Sequence, residues 1–139
     1  MTLIVQNFGD NTQQPSAIDA VYNPDQLIAG DLKVVSDTIT LHGTAALPRG
    51  TVLGAITASG LYITSVATAT DGSQVPAAIL ADNADPSTGD VQAGVYIQGE
   101  FNANYINYDS SWTLVTLKPA LRKSGPIYLK GVVNAQTPT

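Results

Sequence analysis

Residues 90–106, DVQAGVYIQGEFNANYI, and residues 69–82, ATDGSQVPAAILAD, decide how this chain folds. In the first stretch Val95, Ile97, Gly99 and Phe101 alternate with Tyr96, Gln98 and Glu100. That is the period of an amphipathic strand, with one face packed inward and the other turned to water or a partner. In the second stretch Asp71-Gly72 marks a turn, and the apolar run 77–81 predicts a strand buried more deeply than its neighbours. Both stretches consist of strand and turn residues with few of the side chains that perform catalysis. Such a chain is expected to act by fitting a surface.

The flanking sequence extends the pattern in both directions. From Lys33 onward Val35, Asp37, Ile39 and Leu41 share one face of a predicted strand, and Val34, Ser36, Thr38 and Thr40 the other. Leu47-Pro48-Arg49-Gly50 supplies turn chemistry. Residues 51–57 then read as a strand, joined through Ala58-Ser59-Gly60 to another over 61–65. Residues 82–90 form a polar loop with Pro86 and Gly89. One helix is predicted, over 117–123, because Leu114, Leu117 and Leu121 recur at three and four and Ser124-Gly125-Pro126 ends the run. Pro119 lacks a donor and fits best in a first turn, which makes Thr116 the expected N-cap, after a loose turn at 112–114. Residues 127–130 return as a closing strand. There is no internal repeat.

The chain thus divides into an N-terminal arm and lead-in (1–31), a β-rich domain (32–130) and a polar C-terminal tail (131–139). The first segment is rich in Asn, Gln, Asp, Pro and Ala, with apolar residues at Leu3, Ile4, Val5 and Phe8 and again at Leu27 and Ile28. It cannot build a core of its own. Fixing the backbone of residues 2–8 costs about 7–14 kcal/mol, and burying Leu3, Ile4, Val5 and Phe8 returns about 6–12 kcal/mol. Backbone hydrogen bonds along an exposed sheet edge, about 1 kcal/mol each, would tip that balance toward order.

At 139 residues the chain fits one domain able to bury a core without a staple. The absence of cysteine excludes disulfides, thiolate nucleophiles and cysteine-based zinc sites, and suits synthesis in a reducing cytoplasm. A net charge of -5 with only six Lys and Arg leaves no basic patch for phosphates, so no direct binding of nucleic acid is expected. The apolar run 3–5 is too short for a signal peptide, and no stretch approaches the ~20 apolar residues of a membrane span, so a soluble protein is expected.

The candidate chemistries are sparse. His42 is the only imidazole and stands at a strand-to-turn junction, where a surface histidine is ordinary and no triad partner is evident. Asp82, Asp85 and Asp90 share a loop and invite the thought of a hard cation, but their spacing departs from the EF-hand pattern and aspartate is ordinary in turns. Glu100, the only Glu, is expected to contact Arg49, Lys33 or another subunit rather than to serve a glycosidase pair. Gly50-Thr51-Val52-Leu53-Gly54 lacks the spacing and the lysine of a phosphate loop. Trp112 reads as a core anchor, and Tyr96, Tyr105 and Tyr108 as residues able to decorate an interface. No catalytic residue, metal or cofactor is expected.

YNPDQLIAGD (22–31), RGTVLGAITASGLY (49–62), ATDGSQVPAAILAD, GDVQAGVYIQGEFNANYI (89–106) and SWTLVTLKPALRKSGPIYLK (111–130) together resemble the head decoration proteins of tailed phages, the lambda protein D family. The resemblance implies a mainly β fold: a small β-rich domain of the β-clip or β-tulip-like kind, with one short helix and an extended N-terminal arm. It further implies a homotrimer on the outer surface of the virion, seated at three-fold sites of the expanded head and cementing the major capsid protein lattice. In the family the N-terminal segment orders on the shell by adding a strand to capsid protein segments. Here that arm would be residues 1–20, with Leu3, Ile4, Val5 and Phe8 as its anchors. Two other readings start from the residues: a trimeric β-rich nucleotide hydrolase, whose acidic, Ser-rich and Gly-rich motifs are not evident, and a glycan-binding virion appendage, suggested by the Tyr and Asn content of residues 102–108.

Overall fold

Turn chemistry and strand periodicity divide the described chain into six strands and one α-helix. The computed structural model describes residues 26–131. These form strands β1 (Val35–Leu41), β2 (Val52–Ala55), β3 (Tyr62–Thr64), β4 (Pro76–Leu80), β5 (Val91–Asn102) and β6 (Ile127–Lys130), with helix α1 (Leu114–Ser124) between the last two strands. The sheet order is β1-β3-β2-β4-β5-β6, and β1 also pairs with β5. The first five strands therefore close on themselves like a barrel, and β6 extends the sheet from the far half of β5. The fold is mainly β with one short helix, as expected.

The pairings differ widely in length. β1 and β5 run antiparallel from Leu41↔Val91 to Val35↔Gln98. β1 and β3 meet at one register pair, Leu41↔Tyr62, reinforced by the His42 N–H donating to the Tyr62 carbonyl at 2.8 Å. The closure seam of the barrel is therefore short.

Strand alternation sends the apolar residues into two cores. Along β2 and β4, Leu53, Ala78 and Leu80 point into the barrel with Leu41, Ala93 and Val95. Val52 and Ile79 point the other way, joining Phe101, Leu117, Leu121 and Ile127 under the helix. The apolar run of β4 is explained by this arrangement, because both of its faces are buried.

β5 slips its alternation once, which turns Phe101 to the helix-side core. Val35 pairs with Gln98 but Ser36 with Tyr96, so the ladder steps over Ile97. Two residues farther on, Gly99 has a φ of +150°, and a Cβ there would stand 3.0 Å from Phe101 Cζ. Such an irregularity re-aims the side chains that follow it. Unbroken alternation would put Tyr96 and Phe101 on opposite faces, yet their rings pack with centroids 5.5 Å apart. Val95 and Ile97 thus serve the barrel, whereas Phe101 serves the helix-side core with Tyr96 beside it. The single inward face expected for 95–101 is in fact two.

The helix starts earlier than its leucine spacing suggests. Thr113, not Thr116, is the N-cap. The two threonines form a reciprocal capping box, with the Thr116 N–H donating to Thr113 Oγ1 and the Thr113 N–H to Thr116 Oγ1. Pro119 consequently lies inside the helix, and the Val115 carbonyl loses its usual donor. Val115 is 83% exposed and Pro119 is exposed, so water can reach that side of the helix. Leu117 and Leu121 are fully buried on the opposite side.

At the start of the described chain Leu27 is 3% exposed within the helix-side core. The Asn102 N–H donates to the Leu27 carbonyl at 2.7 Å and the Ala29 N–H to the Glu100 carbonyl at 2.8 Å. The Ile28↔Phe101 bridge these bonds frame is antiparallel, on the edge of β5 opposite β6. The segment before β1 is therefore pinned to the domain at residues 27–29.

Phe101→Asp would place an unpaired charge at a fully buried site shared by β5, β6 and α1, and is expected to abolish folding, read as loss of the native circular dichroism spectrum. Gly54→Ala is expected to cost about 1–3 kcal/mol in urea unfolding, because its Cβ would overlap the Ser73 carbonyl and stand 2.9 Å from the Val75 carbonyl oxygen.

Candidate functional site

The turns that hold the strands together account for most of the polar side chains. Three Asp-x-Ser tripeptides, at 71–73, 85–87 and 109–111, use one device: the aspartate side chain accepts the backbone N–H of the serine two residues on, at 3.0, 3.0 and 2.9 Å. Hydrogen bonds from those serines hold the carboxyls of Asp71, Asp85 and Asp109 below the ordinary carboxylate range. At Asp71 the Ser73 hydroxyl adds a second bond of 2.6 Å, and the buried Ser65 hydroxyl donates to the Ser73 carbonyl at 2.7 Å. This loop is latched onto the sheet from two sides. The repeated tripeptide is a sequence signal that the sequence analysis passed over.

The residues singled out for chemistry are dispersed. His42 follows β1 and Asp90 precedes β5, so the Leu41↔Val91 register brings them together, with Nδ1 2.6 Å from the carboxylate. Both side chains are about half exposed, at 51% and 43%. Asp82 accepts the Asn83 N–H at 2.8 Å and Asp85 accepts the Ser87 N–H, so the three loop aspartates face three different partners. Among the described residues no three His, Asp or Glu side chains converge as a metal site. Glu100 pairs with Lys130 of β6, not with Arg49 or Lys33, because parallel pairing puts Asn102 opposite Lys130 and Glu100 opposite Tyr128 on the same face. The Lys130 hydrogen bond, against an opposing effect of burial, holds the Glu100 carboxyl below its ordinary value. Arg49 is engaged elsewhere, its Nε–H donating to the Ala81 carbonyl at 2.9 Å.

The aromatic and amide side chains proposed for an interface serve mainly the interior. Tyr96, Tyr108 and Trp112 pack against the helix-side core, and Tyr105 alone of the three tyrosines is exposed, at 51%. Asn102 is buried and its side-chain oxygen accepts the Asn104 N–H. Asn107 exchanges backbone bonds with Gly50 and Val52, and its side chain donates to the Arg49 carbonyl at 3.1 Å. Asn102, Asn107 and Tyr108, among the residues that suggested glycan binding, thus help to hold this corner of the fold, while Tyr105 faces outward.

What remains for recognition is surface. A shallow groove of about 420 Å³ runs beside residues 82–90, floored by Leu47, Pro48 and Ala84. A second, of about 360 Å³, lies across Leu47, between Gly43 and Ile63. On α1 the outer stripe carries Val115, Pro119 and Arg122, and β6 carries Tyr128 at 39% exposure with the Arg122 guanidinium 5.8 Å from its ring centroid. Leu3, Ile4, Val5 and Phe8 lie outside the described residues.

Residues 18–126, more than half of the chain and everything from the lead-in through β5 and α1, match the family model of the bacteriophage lambda head decoration protein D. The chain belongs to that family. It is a head decoration protein, a structural component of the phage virion, and its association is with the capsid. No curated protein matches it.

Asp71 titrates below the ordinary carboxylate range, so its contribution to stability is present above its unfolded value and disappears as pH falls through its native one. Asp71→Asn is therefore expected to be less stable than the parent protein near neutral pH and to converge with it in acid. Parallel urea titrations at the two conditions check this, and a constant difference between the proteins would dissociate the carboxylate from the latch.

Proposed function

We propose that the protein is a capsid cement that binds as a homotrimer at three-fold sites of the expanded phage head and stabilises the major capsid protein lattice from outside. It does so without catalysing a reaction. The family match across residues 18–126 carries this reading, and the geometry is consistent with it. Several aspartate, serine and asparagine side chains are committed to turns and two ion pairs join His42 to Asp90 and Glu100 to Lys130, which leaves grooves, a helix stripe with its cations and a sheet edge as the means of recognition.

In this reading residues 1–31 are an arm and lead-in, 32–130 the decorating domain and 131–139 a polar tail. Leu3, Ile4, Val5 and Phe8 are the arm's anchors on capsid protein segments. The pinning of Leu27 and Ala29 to β5 gives such an arm a fixed root. Three arms rooted in one trimer would engage three equivalent sites together, so that modest contacts per arm combine through effective concentration. The protein would be made in the host cytoplasm and added to the shell there.

Cosedimentation with purified undecorated heads tests the proposal. Saturable binding to expanded heads and none to unexpanded ones is expected, whereas indifference to both overturns it. Deletion of residues 1–14 is expected to leave the domain folded and trimeric while lowering occupancy of expanded heads, and full occupancy by the truncated protein would remove the arm as the main anchor.

A further inference from the structure

The charges of the domain are segregated along the chain and in space. Four of the six Lys and Arg residues lie at Lys118, Arg122, Lys123 and Lys130, and no Asp or Glu follows Asp109. On α1 the outer stripe of Val115, Pro119 and Arg122 is flanked by Lys118 and Lys123, since residues three and four apart share a helix face. This stripe is an apolar ridge with a cationic rim. Lys130 is neutralised by Glu100, whereas the three helical cations have no carboxylate partner among the described residues.

A surface of opposite charge lies beside residues 82–90. The groove over Leu47, Pro48 and Ala84 is an apolar depression, and Asp85 lines it with exposed Asp82 beside it. The Arg49 guanidinium donates to the neighbouring Ala81 carbonyl, and Asp90 is taken by His42. The C-terminal end of α1 is fastened to the start of β4, where the Ser124 hydroxyl donates to the Pro76 carbonyl. The groove is fastened to the other end, where the Gly50 N–H donates to the Leu80 carbonyl. A five-residue strand at about 3.4 Å per residue separates the two ends.

We propose that the helix stripe of one copy seats in the groove beside residues 82–90 of the next copy. Val115 and Pro119 enter over Leu47, Pro48 and Ala84, and Arg122 and Lys123 meet Asp82 and Asp85. The two patches differ, so joining the stripe of each copy to the groove of the next gives the head-to-tail contact that a three-fold ring requires. Head-to-tail contacts close into a ring when the rotation between copies is that of the symmetry axis, here a three-fold. The inference rests on the homotrimer reading and adds which faces meet.

Light scattering with size-exclusion chromatography on the full-length chain tests this, with circular dichroism to verify folding. Arg122→Glu with Lys123→Glu, and separately Asp82→Lys with Asp85→Lys, are each expected to raise the concentration needed for trimer formation by about tenfold or more, because like charges then face each other. Combining all four substitutions restores opposite charges at each junction, and is expected to recover the trimer. The trimer of the unaltered chain should weaken with added salt. Trimers unmoved by either pair, or a combined variant no better than its parents, overturn the pairing. If only head binding is lost in the helix variant, the stripe faces the shell and the pairing is equally overturned. An unaltered chain that stays monomeric at all concentrations instead sinks the homotrimer reading itself.

Discussion

Tyr96 and Phe101 can share one core only if the side-chain alternation of the twelve-residue strand β5 slips once between them, and it does so. The first half of the strand closes the barrel against β1 and β4. The second half, re-aimed at Gly99, carries Phe101 under the helix between residues 27–29 on one edge and β6 on the other. Without the slip Phe101 would leave the core that anchors α1, β6 and the lead-in. The rest of the molecule is arranged around that step.

The distribution of polar groups follows from the small size of the two cores. Short strands joined by tight turns leave many backbone groups needing partners, and the Asp-x-Ser tripeptides, the capping box and the Asn102 and Asn107 side chains supply them. A domain that spends its polar side chains this way has few left to converge on a substrate. It does retain surface shape and a division of charge between the helix and the loop at residues 82–90. Those suit a head decoration protein, whose association is with the capsid.

Strand positions, the buried run of β4 and the mainly β class were legible in the sequence because period-two patterning and turn residues are local signals that tertiary packing reinforces here. Trp112 as a core anchor was legible for the same reason, since large aromatic surface seeks burial. The leucine spacing and Pro119 alone place the start of the helix three residues too late, because they put the proline in the first turn. That placement holds only where the lost hydrogen bond would be buried, and here the Val115 side faces solvent. The repeated Asp-x-Ser turns could have been recognised from their spacing.

By itself the sequence determined the class of the fold, the order of its strands along the chain and, through the five stretches that resemble head decoration proteins, the family. Those depend on local periodicity and on the identity of residues in order. Tertiary structure alone decided that Glu100 meets Lys130, that Tyr96 and Phe101 share a face, and that Tyr108 turns inward while Tyr105 does not. The first two depend on the parallel register of β6 and the slip in β5, and a register is set by the packing of distant segments, which no run of neighbouring residues encodes.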